Sequence, residues 1–288
     1  MSPPSIRTVL AEAVRRLEAR SDTPRLDAEL LLAHTLGMSR AALLARLGDP
    51  LEVPDTLERF QRLLRRRLAN EPVMYLLGET AFYGLTIRVR PPVLIPRPET
   101  ELLAAAALEH LEPCRADTPP RVLDLCTGSG CVLLAVKHHC PDCTAVGVDI
   151  SPTAIALARE NAERFQLEVP LRTGDLFDPP ELRALAPFDL ITANPPYVAL
   201  PEWPTLPPDI RLYEDPGALL GGTDGLDLIR RILRDAPIWL AYGGMLALEI
   251  GEGQYPAARD AAESAGFTSI RAMRDLAGTE RILTAIKP

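Results

Sequence analysis

The fold is decided by the stretch Val122-Leu123-Asp124-Leu125-Cys126-Thr127-Gly128-Ser129-Gly130. Its apolar first half predicts a buried strand, and its second half predicts a tight turn into a helix. Glycine at positions 128 and 130 lets the backbone pass close to a bound ligand, because no Cβ stands in the way. A glycine turn of this kind occurs in many folds, so the surrounding residues must specify which fold this is.

A second strand with an acidic end follows the turn. Asp149 closes the run Ala145-Val146-Gly147-Val148 and lies 21 residues after Gly128. In nucleotide-binding α/β units, a carboxylate about 20 residues after the glycine turn binds ribose hydroxyls. Asp149, with Ile150 beside it, is therefore a candidate for the ribose site of a cofactor. The alternative is that Asp149 caps the helix that begins after Ser151.

The glycine turn also distinguishes two classes of cofactor. A dinucleotide site has glycine at three positions, so that pyrophosphate can approach a helix N-terminus. Here Cys126 takes the first position and no glycine takes the third. An acidic residue before Gly128-x-Gly130 is instead typical of methyltransferases, and it suits the ammonium group of a cationic, phosphate-free ligand, S-adenosyl-L-methionine. The candidate cofactor-binding residues of this turn are Asp124, Cys126, Thr127, Gly128, Ser129 and Gly130.

The turn after the third strand is a further candidate for cofactor binding. It reads Gly174-Asp175-Leu176-Phe177. In a parallel sheet this turn opens toward the crevice at the carboxyl ends of the strands, where Asp175 can accept from an adenine amino group and Leu176 can pack on the ring. The alternative is a solvated turn.

The fourth strand ends in Asn194-Pro195-Pro196-Tyr197. Two consecutive prolines fix φ and remove two N–H donors, so the turn presents carbonyl oxygens. An amide or aromatic amino nitrogen is a poor nucleophile. Acceptors for its two hydrogens orient it and stabilise the positive charge that develops during methyl transfer. Asn194 Oδ1 and the Pro195 carbonyl are candidate acceptors, and Tyr197 is a candidate packing partner. Glutamine, adenine and guanine all carry such a nitrogen, so the motif leaves the methyl acceptor open.

The chain is organised in three parts. Residues 1–70 carry apolar residues at helical spacing and predict a small helical bundle, interpreted as a docking or lid domain. Residues 71–98 predict a β-hairpin linker around Gly78 and Gly84. Residues 99–288 alternate β-rich runs with helical stretches, which predicts an α/β domain with a mostly parallel, seven-stranded sheet.

We predict the strands of this sheet at 121–126, 144–149, 171–173, 190–193, 245–249, 269–273 and 281–286. Helices are predicted at 131–138, 152–165, 226–236 and 256–265. The proline-rich stretch 200–216 is interpreted as a shaped surface loop near the site.

Composition limits the class of substrate. The 288 residues carry a formal net charge of −8, which disfavours a large phosphate-tracking surface, although Arg65-Arg66-Arg67 forms a local basic run. No apolar run approaches the roughly 20 residues that span a bilayer. Five cysteines, an odd number, indicate reduced thiols. We therefore expect a cytoplasmic monomer without a membrane anchor, acting on a protein or a small molecule.

The spacing Cys140-x-x-Cys143 is the one cysteine pair that resembles a metal or redox motif. A zinc site needs a second Cys or His pair, and none follows at finger-like spacing. We interpret the pair as part of a loop between a helix and a strand, and we expect no metal.

Beyond these motifs, the chain resembles the HemK/PrmC family, the peptide chain release factor N5-glutamine methyltransferases. The resemblance runs over nearly the whole length and is most specific at 95–101. It rests on Asn194 to Tyr197, the cofactor turn, Glu71-Pro72 with Tyr75 and Gly78, Phe82-Tyr83-Gly84, Leu94-Ile95-Pro96-Arg97-Pro98-Glu99-Thr100-Glu101, Tyr213-Glu214-x-Pro216, Leu248-Glu249-Ile250-Gly251 and Asp275-x-x-Gly278-x-x-Arg281.

The resemblance implies a Rossmann-like class I domain that uses S-adenosylmethionine, releases S-adenosylhomocysteine and methylates the glutamine of a Gly-Gly-Gln tripeptide. The helical domain would help recruit the release factor. Asn194 would touch cofactor and substrate, with Pro195, Pro196 and Tyr197 framing the glutamine. The stretch 94–100 would lie across the cofactor, with Arg97 on the substrate side. Alternatively, this stretch is a connector in which Arg97 pairs with Glu99 or Glu101.

Two residues depart from the family pattern. Cys126 stands where many members have glycine, and Leu176 stands where some have an aromatic residue beside the adenine. Both replacements should alter cofactor affinity and leave the reaction intact. The competing hypothesis is a methyltransferase that acts on an adenine or guanine amino group in nucleic acid, which predicts a basic face and stacking aromatic residues around the site.

Overall fold

The structure, a computed structural model, describes residues 3–51, 54–112 and 118–288. The chain divides into two compact units. One comprises Met1–Glu79 with Pro207–Tyr213, and the other comprises Thr80–Leu206 with Glu214–Pro288. Within the described ranges, no helix is long and apolar enough to cross a membrane.

The first unit is helical, as the apolar spacing predicts. Its core contains fully buried leucines from three helices. Burial of each such side chain contributes about 1.5–3 kcal/mol to the stability of the fold. Ser5 and Ser39 cap two of the helices, because their hydroxyl oxygens accept from the backbone N–H groups of Thr8 and Ala42. The helices are α1 (Ile6–Leu17), α2 (Pro24–Leu36), α3 (Arg40–Ala45), α4 (Pro54–Leu68) and α5 (Val73–Leu77).

The predicted hairpin is shorter than residues 71–98, because α5 occupies the start of that range. Pro72 precedes the first turn of α5, and Gly78 ends it with a φ of 78° and an N–H that donates to the Met74 carbonyl. Strands β1 (Glu79–Phe82) and β2 (Leu85–Arg88) then form the hairpin. Along β2, buried and exposed residues alternate as expected for a strand. The buried residues of α5 instead follow a helical repeat.

The second unit contains the predicted seven-stranded sheet, in the order β5-β4-β3-β6-β7-β9-β8. The five strands from β3 to β7 pair in parallel, and β9 lies antiparallel between β7 and β8. The strands are β3 (Arg121–Leu125), β4 (Thr144–Asp149), β5 (Leu171–Thr173), β6 (Phe188–Ala193), β7 (Leu240–Glu249), β8 (Thr268–Arg274) and β9 (Glu280–Ile286).

The order of these strands positions the site. From β3 the chain continues outward through β4 and β5 on one side, and β6 and β7 lie on the other side. Ligands of open α/β sheets bind beyond the carboxyl ends of the strands, at the point where the strand order reverses. This point lies between β3 and β6, so the turns that follow these strands are adjacent.

Seven helices complete the described chain, and one that packs on the sheet was not predicted. The segment Leu-Leu-Ala-Ala-Ala-Ala-Leu of α6 is apolar on every face and therefore lacks the amphipathic repeat that identifies a surface helix. Leu103, Leu111 and most of its alanines are buried. The helices are α6 (Glu101–Leu111), α7 (Cys131–His139), α8 (Pro152–Arg164), α9 (Leu182–Leu185), α10 (Pro208–Tyr213), α11 (Asp227–Trp239) and α12 (Tyr255–Ser264).

The proline-rich stretch 200–216 is more regular than a surface loop. It folds into a 3-10 helix at Leu200–Thr205 and the short helix α10, and another 3-10 turn covers Pro216–Ala218. Proline is well placed in the first turn of a helix, because its missing N–H has no partner there. Helix α10 belongs to the first unit, where Tyr213 Oη donates to the Ala69 carbonyl at 3.1 Å.

Candidate active site

A cavity of about 250 Å³ opens at the carboxyl ends of β3, β4 and β5. A smaller cavity of about 40 Å³ lies beside it and shares Leu94, Cys126, Gly128 and Asn194 with it. Predicted cofactor residues line both. The larger cavity is lined by Cys126, Gly128, Asp149, Ile150, Asp175, Leu176 and Asn194, and the smaller one by Asp124, Cys126, Thr127, Gly128, Ser129 and Asn194.

The turn after β3 is held in left-handed backbone conformations. The φ angles are 54° at Cys126, 56° at Gly128 and 82° at Gly130. Gly128 lies in the wall of both cavities. Gly130 lies instead against α8, where an added Cβ would be 3.2 Å from the Cβ of Ala158. Gly130 thus allows close packing between the cofactor turn and a helix.

Asp149 connects the ends of β3 and β4. Its Oδ2 accepts from the Gly128 N–H at 2.8 Å, and its Oδ1 accepts from the Ser151 N–H at 2.8 Å. Burial raises the pKa of Asp149, although these two hydrogen bonds favour its charged form. The carboxylate keeps acceptor capacity for a ligand, since two oxygens offer about four lone-pair sites. The helix-cap role belongs to Ser151, whose Oγ accepts from the Ala154 N–H.

Asp124 lies in the wall of the smaller cavity and is 2% exposed. The hydroxyl groups of Thr127 and Thr192 donate to its two oxygens at 2.6 and 2.7 Å. Burial raises its pKa to about 6, despite these hydrogen bonds. An anionic Asp124 would therefore be stabilised by a cationic group in this cavity.

The rest of the cavity wall comes from the turns after β4 and β5. Leu176 has a φ of 51° and is buried, whereas Ile150 is 69% exposed and forms an apolar rim. Asp175 lines the cavity. It also forms an ion pair and is therefore more than a solvated turn residue, because Arg231 Nη2 donates to its Oδ2 at 2.9 Å. This ion pair neutralises the charge of Arg231 inside the wall.

The turn after β6 brings the acceptor motif to the same place. Asn194 lines both cavities, and Pro196 lines the larger one. Pro195 and Tyr197 are absent from the lining of these two cavities. The Tyr197 hydroxyl points into the protein and donates to Glu249 Oε1 at 3.2 Å.

Thr100 and Glu249 are among the residues of this site that were not predicted as site residues. Glu249 ends β7 with no exposed surface, and its Oε2 has no hydrogen-bond partner among the residues that the structure describes. Burial raises its pKa to about 7. Thr100 precedes α6, and its Oγ1 accepts from Asn194 Nδ2 at 3.4 Å. The sequence does contain a signal, since an acidic residue within the apolar run 245–250 has no place in an ordinary buried strand.

The connector alternative predicted that Arg97 pairs with Glu99 or Glu101, but its partner is a different glutamate. Arg97 Nη2 donates to Glu214 Oε2 at 2.6 Å, and the Glu214 side chain is buried. Nearby, the Asp215 N–H donates to the Pro92 carbonyl at 2.9 Å. These contacts join the stretches 92–97 and 214–218, both of which contribute to the wall of the larger cavity. Arg97 itself is not part of that wall.

The loop prediction for Cys140 and Cys143 is confirmed, because both lie between α7 and β4. Both are buried free thiols, and burial raises the pKa of Cys143 to about 12. Of the remaining cysteines, Cys126 and Cys131 are also free, and Cys114 lies outside the described residues.

The catalytic half matches known methyltransferases. A family model described as "Methyltransferase domain" matches residues 122–210. A methyltransferase from Pyrococcus furiosus has a similar structure, with a TM-score of 0.52, 18% identity, and coverage of 72% of this chain and 91% of that chain. A T. Thermophilus 16S rRNA methyltransferase, in complex with AdoMet and guanosine, gives a TM-score of 0.52 at 22% identity, over 73% of this chain and 50% of that chain. The fold is therefore that of a Rossmann-like, class I methyltransferase.

The chain also matches whole proteins and the "PrmC N-terminal domain" model, the latter at residues 8–78. It is 42% identical to the release factor glutamine methyltransferase of Moorella thermoacetica, over 98% of this chain and 99% of the relative, and 42% identical to that of Bordetella pertussis, over 93% and 97%. The chain belongs to the release factor glutamine methyltransferase family, which confirms the resemblance seen in its sequence.

Proposed function

We propose that the protein transfers the methyl group of S-adenosyl-L-methionine to the side-chain amide nitrogen (N5) of the glutamine in the Gly-Gly-Gln motif of peptide chain release factors, and so modulates translation termination. The observation that carries this proposal is the position of Asn194. It lines both cavities at the point where the cofactor turn meets the proline turn.

The chemistry of the cavity walls fits S-adenosylmethionine. Asp149 provides a ribose acceptor, Ile150 and Leu176 provide apolar surface for an adenine ring, and Asp124 provides an anion for an ammonium group. Among the described residues that line the larger cavity, Arg231 is the one cation, and it is paired with Asp175. A pyrophosphate would therefore lack a cationic partner, whereas a cationic cofactor has the carboxylates of Asp124, Asp149 and Asp215.

When bound, S-adenosylmethionine supplies an electrophilic methyl group, and the protein's own residues orient the acceptor. The amide nitrogen of glutamine is a poor nucleophile, because its lone pair is delocalised. Asn194 Oδ1 and the Pro195 carbonyl would accept its two hydrogens, and both favour the positive charge that develops on nitrogen. Pro195 and Pro196 have no N–H, so the backbone of this turn does not donate to the acceptor.

The parts of the chain suggest how the substrate is recruited. We assign substrate recognition to the helical domain, residues 1–70, with 71–98 as linker and 99–288 as the methyltransferase domain. The family model for residues 8–78 supports this assignment. Arg97, which the resemblance places on the substrate side, is bonded to Glu214 and so joins two stretches that contribute to the wall of the larger cavity. We further propose that the enzyme acts as a monomer in the cytoplasm, where release factors function, and that it has no nucleic-acid substrate.

One labelling experiment tests the function. The protein is incubated with S-adenosylmethionine carrying a labelled methyl group, together with a release factor or the same factor with its Gly-Gly-Gln glutamine changed to alanine. We expect label on the first factor and none on the second. Equal labelling of the two factors contradicts the proposal, and so does label found solely on added RNA or DNA.

A further inference from the structure

The Gln254 side chain connects three backbone segments beside the acceptor motif. Its Oε1 accepts from the Gly251 N–H at 2.8 Å, in the turn that follows β7. Its Nε2 donates to the Tyr197 carbonyl at 2.9 Å and to the Asp224 carbonyl at 3.3 Å. Gln254 contributes nothing to the lining of either cavity, but it ties the last residue of the acceptor motif to the turn after β7 and to the segment before α11.

These contacts require an amide side chain. A backbone N–H faces one side of the Gln254 group and two backbone carbonyls face the other side, so an acceptor and a donor are both needed. A glutamine amide has an oxygen acceptor and an NH₂ group with two donors. Its orientation is fixed by its partners, because a nitrogen turned toward the Gly251 N–H would place donor against donor. An ionised glutamate of the same length would keep the acceptor and lack both donors.

The acceptor motif needs this support, because its own backbone has few donors. Its two prolines have no N–H and cannot hold the turn at their positions. Before the motif, Ala193 is fixed by pairing of β6 with β3 and β7. After the motif, the Val198 N–H donates to the Leu219 carbonyl at 2.8 Å. Within the motif, the Tyr197 carbonyl is held by Gln254.

Two glycines allow the Gln254 amide to lie directly against the motif. Gly225 has a φ of 77°, and an added Cβ there would collide with the Tyr197 carbonyl oxygen and with Gln254 Nε2. An added Cβ at Gly251 would be 3.0 Å from Gln254 Oε1 and 3.3 Å from Cδ2 of Tyr197. The amide is therefore enclosed by close packing as well as by hydrogen bonds.

We infer that Gln254 is a positioning residue for methyl transfer: by binding the Tyr197 carbonyl, its amide holds the acceptor motif so that Asn194 Oδ1 and the Pro195 carbonyl face the reacting nitrogen. This inference rests on the proposed function for the identity of the acceptor. The hydrogen bonds of Gln254 are made within the chain and need no ligand. Their loss frees the end of the motif to shift, and a displacement of about 1 Å can lower a rate about 100-fold.

The test compares Gln254→Glu with the wild type, using labelled S-adenosylmethionine and the release factor at pH 8. The carboxylate would face two carbonyl oxygens without a donor. We expect kcat to fall about 10- to 100-fold, whereas KM for S-adenosylmethionine and the affinity for S-adenosylhomocysteine stay within about 2-fold of wild type. A kcat within about 2-fold of wild type overturns the inference. A matching loss of S-adenosylhomocysteine affinity also overturns it, because the whole site would then be disturbed.

Two further variants separate the loss of the donors from the change of charge. Gln254→Met keeps the length of the side chain without charge or donors, and we expect its kcat to fall at least about 10-fold. Gln166→Glu is the matched control, since Gln166 is exposed and outside the lining of both cavities. Its kcat should stay within about 2-fold of wild type. Near-normal turnover in Gln254→Met contradicts the inference, and so does a Gln166→Glu variant as slow as Gln254→Glu.

A readout without an acceptor distinguishes this inference from the proposed function. The chain has three glutamines, of which Gln61 and Gln166 are exposed. The side-chain ¹⁵NH₂ hydrogens of Gln254, assigned by their loss in Gln254→Glu, should exchange with solvent at least about 5-fold more slowly than those of the other two. Equal exchange in the wild type overturns the inference, whichever acceptor the enzyme uses. Failure to label the glutamine of the release factor would instead overturn the proposed function.

Discussion

The turn after β3 and the turn after β6 are neighbours at one edge of the sheet, but their backbones have opposite properties. The first uses positive φ angles at Cys126, Gly128 and Gly130, and an N–H of this turn donates to Asp149. The second contains Pro195 and Pro196 and offers only carbonyl oxygens at these positions. The first turn thus depends on backbone geometry, whereas the second depends on side-chain orientation. Substitutions in the two turns should therefore affect different measurements.

The largest effect is expected at Asn194 in the second turn. Asn194→Ala removes an acceptor that acts on the reacting nitrogen, so kcat should fall about 100- to 1,000-fold. Binding of S-adenosylhomocysteine, measured by calorimetry, should change much less. Near-normal turnover would show that the acceptor geometry is wrong, and a comparable loss of cofactor binding would show that the two turns do not act separately.

In the first turn, Gly130→Ala should mainly affect folding. The new Cβ would lie 3.2 Å from the Cβ of Ala158, and the φ of 82° is unfavourable for alanine. Strain and overpacking together should lower the free energy of unfolding by about 2–4 kcal/mol, measured by urea denaturation.

Gly253→Ala is the matched control for that variant. Gly253 has a φ of 76°, and an added Cβ would have no atom within 4 Å apart from its own chain neighbours. In Gly253→Ala only the backbone strain remains, and it should lower the free energy of unfolding by about 1–2 kcal/mol. Equal destabilisation by the two substitutions would exclude the packing of Gly130 against α8 as a cause.

Glu249 should make stability depend on pH. Burial raises its pKa from an ordinary value near 4.5 to about 7, so the folded state binds the proton more tightly than the unfolded state. The wild type should therefore lose stability as pH rises from about 4.5 through about 7. Glu249→Gln should lose less stability over this range, because the raised pKa of Asp124, about 6, still contributes there, and the difference between the two proteins should change by up to about 3 kcal/mol. Urea denaturation at pH 5 and pH 8 measures the free energy of unfolding of both proteins. A difference between them that is the same at both pH values contradicts the expectation.

The smallest effect is expected for Cys126→Gly. Cys126 has a φ of 54°, which costs a residue with a Cβ about 1–2 kcal/mol, whereas glycine adds flexibility to the unfolded chain worth about 0.5–1 kcal/mol. The variant should therefore be more stable by about 0.5 kcal/mol, again by urea denaturation. Destabilisation would mean that packing of the thiol outweighs the backbone strain.

Much of the fold could be predicted from local pattern. All seven strands of the sheet were found, because buried β-rich runs alternate with amphipathic helices. Helix α6 was missed because it is apolar on every face, and the start of the linker was read as a hairpin although α5 occupies it. Both errors occur where the hydrophobic repeat is short or absent.

The candidate site was predicted where a motif is continuous in sequence. The turn at 124–130 and the motif at 194–197 needed only neighbouring residues. Glu249 and Thr100 needed the sheet, because β7 pairs with β6 and so places Glu249 beside the acceptor motif. For the same reason the sequence offered Glu99 or Glu101 as alternative partners of Arg97, since its actual partner Glu214 is distant in sequence.

The sequence by itself determined the class of fold, the cofactor turn and the acceptor motif, because each follows from residues that are close along the chain. Only the tertiary structure decided that Gly130 packs against α8, that Arg97 binds Glu214, and that Asn194 donates to Thr100. Contacts between distant residues depend on strand order and packing, which a local pattern does not encode.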